Sequence, residues 1–258
     1  MDAALFPQPD YEATNVTAGV IACLATGWRL FGEAQWLESA RRAAEFYGGL
    51  LDEGKLWGGP GDIEALVNSE VPMFYLRAFL RLAEITGDAR HLAWARDAAA
   101  WRLAFQYGHC WALTPGAQLY FQGWAGLGSE GASASNLHSV CFGAVNLPDY
   151  ALAARLLGGD FWPARMRDLA GYATQQFGRF DGDALGVLME GQGTESYWTS
   201  DTRWGKGNVL ILTEKPNLGY MSWTTAWSAY GLLHAMALGL EEGVARSPRP
   251  ARRRKRSA

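Results

Sequence analysis

A short motif recurs three times along the chain, and it restricts the fold more than any other feature. Each copy joins an apolar stretch to a charged one through a tight pair of Gly and an acid. The copies are Leu30-Phe31-Gly32-Glu33-Ala34-Gln35-Trp36-Leu37, Ile85-Thr86-Gly87-Asp88-Ala89-Arg90-His91-Leu92 and Leu157-Gly158-Gly159-Asp160-Phe161-Trp162. Glycine supplies the left-handed residue that ends a helix. The acid after it stands at the N-terminus of the next helix, where a carboxylate is favoured. Each motif therefore predicts a helical hairpin with a connection of about two residues.

The two arms of each hairpin differ in character. The first arms are apolar almost all round: Thr14–Phe31 carries one charge, Arg29, and Asn136–Leu157 carries Asp149 and Arg155. Ser222–Leu240 carries none, and Val67–Thr86 is intermediate. The second arms, Glu33–Leu51, Asp88–Tyr107 and Asp160–Phe177, carry regular charges such as Glu38, Arg41, Arg42 and Glu45. A helix that is apolar all round is expected to be buried on all sides. The first arms are thus predicted as an inner layer and the second as an outer one. The connections sort the same way. Inner-to-outer turns are short, whereas the outer-to-inner connections Asp52–Ile63, Gly108–Ser135 and Gly178–Met221 are long. Hairpin geometry then gathers the long loops on one face, and long loops in a compact helical domain are usually functional.

Composition excludes several alternatives. The chain has 258 residues, 49% hydrophobic and 19% charged, so whole-chain disorder is out. The last 14 residues hold seven of the 23 basic residues and no acid, leaving 16 basic and 26 acidic residues in the body. An acidic body argues against nucleic-acid binding by the fold. The division expected is a lead-in over 1–13, a helical-hairpin domain over 14–243 and a disordered basic tail over 244–258. No stretch reaches the ~20 apolar residues of a membrane span. The first residues have neither the basic start nor the apolar core of a secretory signal, which predicts a cytoplasmic protein if that N-terminus is genuine. Cys23, Cys110 and Cys141 form no CxxC pair, and no paired-His spacing is present, so neither a disulfide framework nor a metal site is expected. Cys23, in an apolar helix, is expected as a buried free thiol. No motif calls for a cofactor, and nothing in the chain specifies an oligomeric state.

The run Thr86-Gly87-Asp88-Ala89-Arg90-His91-Leu92-Ala93-Trp94-Ala95-Arg96-Asp97-Ala98-Ala99 resembles a hairpin of the six-hairpin glycosidase-like (α/α) toroid superfamily. Ser222-Trp223-Thr224-Thr225-Ala226-Trp227 is similar to a closing inner helix of that fold. The chain supplies three hairpins and one further helix, about seven helices against the six hairpins of a closed toroid. The resemblance, over roughly residues 14–240, thus implies an all-α, incomplete (α/α) toroid with its long loops on one face. It also implies activity on an oligosaccharide or polysaccharide.

The long loops carry matching chemistry. The chain has 12 Trp, about half of them in these loops. Trp57, Tyr120, Trp124, Tyr197, Trp198, Trp204 and Trp223 offer flat apolar faces for sugar rings. Glycoside hydrolysis needs one protonated and one ionised carboxylate, and the candidates are Asp62, Glu64, Glu130, Glu190 and Asp201. Asp62 also fits the N-cap of the inner helix beginning at Ile63. Asn136 and His138 fit the resemblance in a second way, because toroid lyases use Asn to neutralise a uronate and His or Tyr to remove its proton. Asn136 equally fits an N-cap and His138 a hydrogen-bonded core histidine. The expectation is a glycoside hydrolase-like domain acting through paired carboxylates. The alternatives are a uronate lyase and a non-catalytic glycan-binding or interaction remnant of a toroid.

Overall fold

The computed structural model describes residues 15–56, 67–110, 125–133, 139–177, 196–197, 222–237 and 239. They form an all-α fold of seven α-helices with three two-residue strands. A 3-10 turn, Asn15–Ala18, leads into α1 (Gly19–Phe31), followed by α2 (Ala34–Asp52), α3 (Val71–Thr86) and α4 (Ala89–Ala104). Strands β1 (Glu130–Gly131) and β2 (Ser139–Val140) precede a second 3-10 turn, Phe142–Asn146. Then come α5 (Leu147–Leu157), α6 (Trp162–Gln175), β3 (Ser196–Tyr197) and α7 (Ser222–Ala237). The described residues fall into two compact units. The first holds those up to Phe105, with Ser133 and Leu152–Gly159; the second holds the rest.

The Gly-acid motifs make the turns that the sequence predicts. Gly32 sits at φ 74° and donates its N–H to Trp28 O at 2.8 Å. Gly87 sits at φ 65° and donates to Ala83 O at 2.9 Å. Asp88 Oδ1 accepts the Arg90 N–H at 2.8 Å, capping α4. Glu33 holds the corresponding place before α2, but its carboxylate accepts from Gln35 Nε2 at 2.6 Å instead of capping. Thr86 explains the rest of its motif. Its hydroxyl donates to Leu82 O at 2.8 Å, and its oxygen accepts the Asp88 N–H at 3.2 Å. His91 Nδ1 lies 2.8 Å from the same oxygen. The one hydroxyl proton is used on Leu82, so Nδ1–H of His91 is the donor. Burial lowers the pKa of His91 against the opposing pull of Asp88 and Glu45. The third turn is longer than expected, with Gly158 and Gly159 both at positive φ and α6 starting only at Trp162.

In the first unit α1 packs on α2 and α3, and α3 packs on α4. Ten of the 16 residues of α3 are buried, which makes α3 the central helix. The expectation that α1 is buried on all sides is not met. It turns Ile21, Ala22 and Ala25 inward and leaves Val20, Leu30 and Phe31 exposed. Cys23 is exposed as well, not buried as expected, because it lies on that outward stripe. An apolar helix is buried only where a partner covers it, and among the described residues α1 is covered by α2 and α3. The rings of Tyr47, Tyr75, Phe79, Trp94 and Trp101 form the aromatic centre, in edge-to-face or tilted contacts. Trp94 donates Nε1–H to Asp52 Oδ1 at 2.9 Å and carries the Arg90 guanidinium 4.4 Å above its ring. Tyr75 donates to Asn15 Oδ1, and burial, with Tyr47 adding to it, pushes the phenol pKa up.

Two helix starts differ from the expectation. The helix predicted from Ile63 begins at Val71. There Asn68 Oδ1 accepts the N–H groups of Glu70 and Val71, each at 3.1 Å, and Pro72 occupies the first turn. Asn68 organises this helix entry, and Asp62 lies outside the described residues. In the second unit the helix predicted over Asn136–Leu157 is interrupted: 139–140 is extended, 142–146 is a 3-10 turn, and α5 starts at Leu147 with Pro148 next. Proline fits a first helical turn and not a helix interior. The 3-10 turn packs against α7 so closely that a Cβ on Gly231 would lie 1.8 Å from Ala144 O.

Within the first unit Glu84 ties α1 and α3 to the last residues of α5. It meets Arg29 of α1 at 3.5 Å, Arg81 of α3 at 3.2 Å, and Arg155 of α5. Partial burial works to raise its pKa, but hydrogen bonds and charge from Arg155 and Arg81 outweigh it and hold the carboxyl below the usual range. A lowered carboxylate pKa adds stability that is complete above the unfolded pKa of 4.5 and is lost as pH falls through the folded value. Glu84→Gln should therefore lower the melting temperature most at neutral pH. The gap between wild type and variant should close as thermal melts are run below pH 4.5. Gly48 supplies a second test. A Cβ there would lie 2.3 Å from the Trp94 ring, whereas a Cβ on Gly49 meets nothing within 4 Å. Urea unfolding should show Gly48→Ala destabilising by about 1–3 kcal/mol. Gly49→Ala should be neutral or stabilising by up to ~1 kcal/mol.

Candidate active site

In the second unit β1, β2 and β3 form a three-stranded antiparallel sheet with β2 in the middle. Strand β1 comes from the second long connection and β3 from the third. The register sets Glu130 opposite Val140 and Val140 opposite Ser196; Gly131, Ser139 and Tyr197 form the next row. The sheet thus brings two of the candidate residues, Glu130 and Tyr197, into neighbouring rows from connections far apart in sequence.

The second connection is pinned at both ends. Tyr107 N–H donates to Ser129 O at 2.8 Å, and Gly128 N–H returns to Tyr107 O at 3.0 Å. Helix α6 anchors it further. The Gln175 side-chain amide makes two bonds to the Ala125 backbone, at 2.9 and 3.0 Å. Gly128, at φ +84°, would place a Cβ 2.0 Å from Asp168 O.

Glu130 is fully buried, and its Oε2 accepts the Gly143 N–H at 2.8 Å. That amide opens the 3-10 turn leading to Asn146 and Asp149, also buried, whose side chains bond Nδ2 to Oδ2 at 2.8 Å. Asp149 stands in the first turn of α5, where the helix end favours a negative charge. Nearby, Tyr150 donates to Gln106 Oε1 at 3.0 Å, and Gln106 Nε2 donates to Arg165 O at 2.9 Å. Cys141 contacts Gln176 and Ser228, and burial pushes its thiol up to about 12, so it is no nucleophile at neutral pH. Burial also raises the carboxyl of Asp168 despite Arg165, which it meets at 3.1 Å. Among the described residues no three His, Cys, Asp or Glu side chains form a metal-binding group.

Of the residues singled out in the sequence, Glu130 is the one with a described side chain. Tyr197 and Trp223 are placed by backbone alone, in β3 and in the first turn of α7. Asp62, Glu64, His138, Glu190, Asp201, Trp57, Tyr120, Trp124, Asn136, Trp198 and Trp204 lie outside the described residues. The sequence reading missed Gln106, Asn146, Asp149 and Asp168. Asp149 had a signal, being a charge in an otherwise apolar segment; the others look like ordinary surface residues until the fold buries Gln106 and Asn146 and partly covers Asp168.

These features define an all-α protein of helical hairpins with a small sheet joining two of its long connections. No protein-family model, curated protein or solved structure matches the chain. No helix among the described residues is long and apolar enough to cross a membrane.

The Gly143 contact separates structural from chemical roles for Glu130. Glu130→Ala leaves a buried N–H without its acceptor and should cost about 1–3 kcal/mol in urea unfolding. Glu130→Gln keeps an oxygen for that bond and should lose less than half as much.

Proposed function

We propose that this chain is a carbohydrate-active domain, glycoside hydrolase-like, built as part of an (α/α) toroid. In this reading oligosaccharide lies against the long-loop end of the hairpins, and two carboxylates cleave it by general acid–base chemistry. The observation that carries the reading is the sheet that joins the second and third long connections. In sequence these connections contain Glu130, Glu190 and Asp201 as well as Tyr120, Trp124, Tyr197, Trp198 and Trp204, the carboxylate and aromatic content expected of a sugar subsite. Asp62, Glu64 and Trp57 of the first connection complete the candidate set.

A second reading, a non-catalytic glycan-binding domain, draws on the burial of Glu130: a carboxylate sealed from solvent has no route to a substrate oxygen unless the site opens. Release of reducing ends from a panel of oligosaccharides distinguishes the two. The hydrolase reading predicts turnover by the wild type and a loss of at least ~100-fold in kcat/KM for Glu130→Gln, Asp62→Asn or Asp201→Asn, the scale of general acid–base catalysis. Binding without turnover supports the second reading. Turnover unaffected by every one of these substitutions contradicts the proposed carboxylates.

A further inference from the structure

The arginines gathered on Glu84 outnumber it three to one. Arg29 Nη1 and Arg81 Nη1 meet the same oxygen, Oε2, at 3.5 and 3.2 Å, and Arg155 Nη2 meets Oε1. All four residues belong to the first unit. Three guanidiniums against one carboxylate leave two positive charges unbalanced, in a body that is otherwise acidic. Helix ends account for part of this. Arg29 stands in the last turn of α1 and Arg155 in the last turn of α5, where the terminal carbonyls favour a cation. That explains each arginine on its own helix. It does not explain why three converge on one carboxylate, which brings like charges together.

Exposure shows which groups remain open. The Glu84 side chain is the most covered at 20%, whereas Arg29 and Arg155 are 55% and 65% exposed. Each of these two gives one nitrogen to Glu84 and makes no second ion pair among the described residues. Because both reach the same carboxylate, their remaining N–H groups lie within reach of one small anion.

We infer that this cluster binds a small tetrahedral dianion, inorganic phosphate or the phosphate of a monoester. Glu84 gathers the guanidiniums. Arg29 and Arg155 offer planar forks of donors, which match the oxygens of a phosphate. Arg81 adds its charge from the more covered side. A dianion balances the two surplus charges, and chloride, with one charge and no pair of oxygens, fits the forks poorly. The site lies at the short-turn ends of α1 and α3 and draws on none of the long connections, so it is independent of the carbohydrate reading.

Calorimetric titration of the full chain with inorganic phosphate and with glycerol 3-phosphate tests the inference. It is run at about pH 8, where both are dianions, with sodium chloride holding the ionic strength constant. One anion per chain should bind with a dissociation constant below about 1 mM. Arg29→Gln and Arg155→Gln should each weaken it by about tenfold or more, the scale of a lost charged hydrogen bond, with unchanged far-UV circular dichroism. Arg155→Lys keeps the charge beside Glu84 but not the fork. It should weaken binding about threefold or more, so the test does not depend on how well the Gln variants fold. Arg96→Gln removes an exposed arginine of α4 outside the cluster and should change nothing. Tighter binding of glycerol 3-phosphate assigns the monoester, and tighter binding of inorganic phosphate assigns the free anion. A dissociation constant above that limit for both anions overturns the inference. So does binding that survives the arginine substitutions, or that Arg96→Gln weakens as much as they do.

Discussion

The reversal of the chain within two residues is the constraint on which the rest of this structure depends. At Gly32 and Gly87 the backbone takes a left-handed conformation that costs a residue with a side chain about 1 kcal/mol. The N–H groups of these glycines close the preceding helix, and the next helix starts at once. Because the helices of α1/α2 and α3/α4 are joined so tightly, they must lie side by side. The length needed to return to the next hairpin then has to be spent at the other end. The long connections are the counterpart of the short turns.

In the second unit the constraint becomes polar. The pairing of β1, β2 and β3 is only two residues deep, too little to hold by ladder bonds alone. Side-chain bonds support it. Glu130 reaches from β1 to the Gly143 amide, Gln175 clasps Ala125, and Gln106 bridges Tyr150 and the α6 backbone. A buried network of this kind specifies one arrangement when its members are satisfied, and it makes removal of any one member expensive. The same carboxylate that reads as a catalytic candidate is therefore also a fastener between a long connection and the turn that feeds α5.

The local features were the legible ones. The turns, α1, α2, α4 and α6 follow from glycine, capping acids and apolar periodicity, all of which act within a few residues. Thr86 and His91 carry a motif in which the Thr86 hydroxyl meets the Leu82 carbonyl, the Asp88 N–H and His91 Nδ1, all within the turn itself. The non-local features were not legible. Residues 139–140 pair with strands nine residues upstream and far downstream, and no periodicity announces that. The interruption before α5 had a signal in Pro148, outweighed by the apolar run around it. Burial of α1 was overestimated because apolarity says what a face prefers to touch and not whether anything is there. Of the site, the sequence named Glu130 from its place as the one charge in a glycine-rich run, and the structure gives it a partner. Asp168 and Gln106 gain their character only from the elements packed over them.

The central claim is that the long-connection end of this protein receives sugar rings, and tryptophan emission tests it most directly. Trp94, Trp101 and Trp162 are buried in the helices, so their emission should not respond to a ligand at the loops. Titration with an oligosaccharide panel should produce a saturable change in emission with at least one sugar. That change should be lost in a variant carrying Trp124→Phe, Trp198→Phe and Trp204→Phe. No response to any sugar, or a response that survives all three substitutions, contradicts the account.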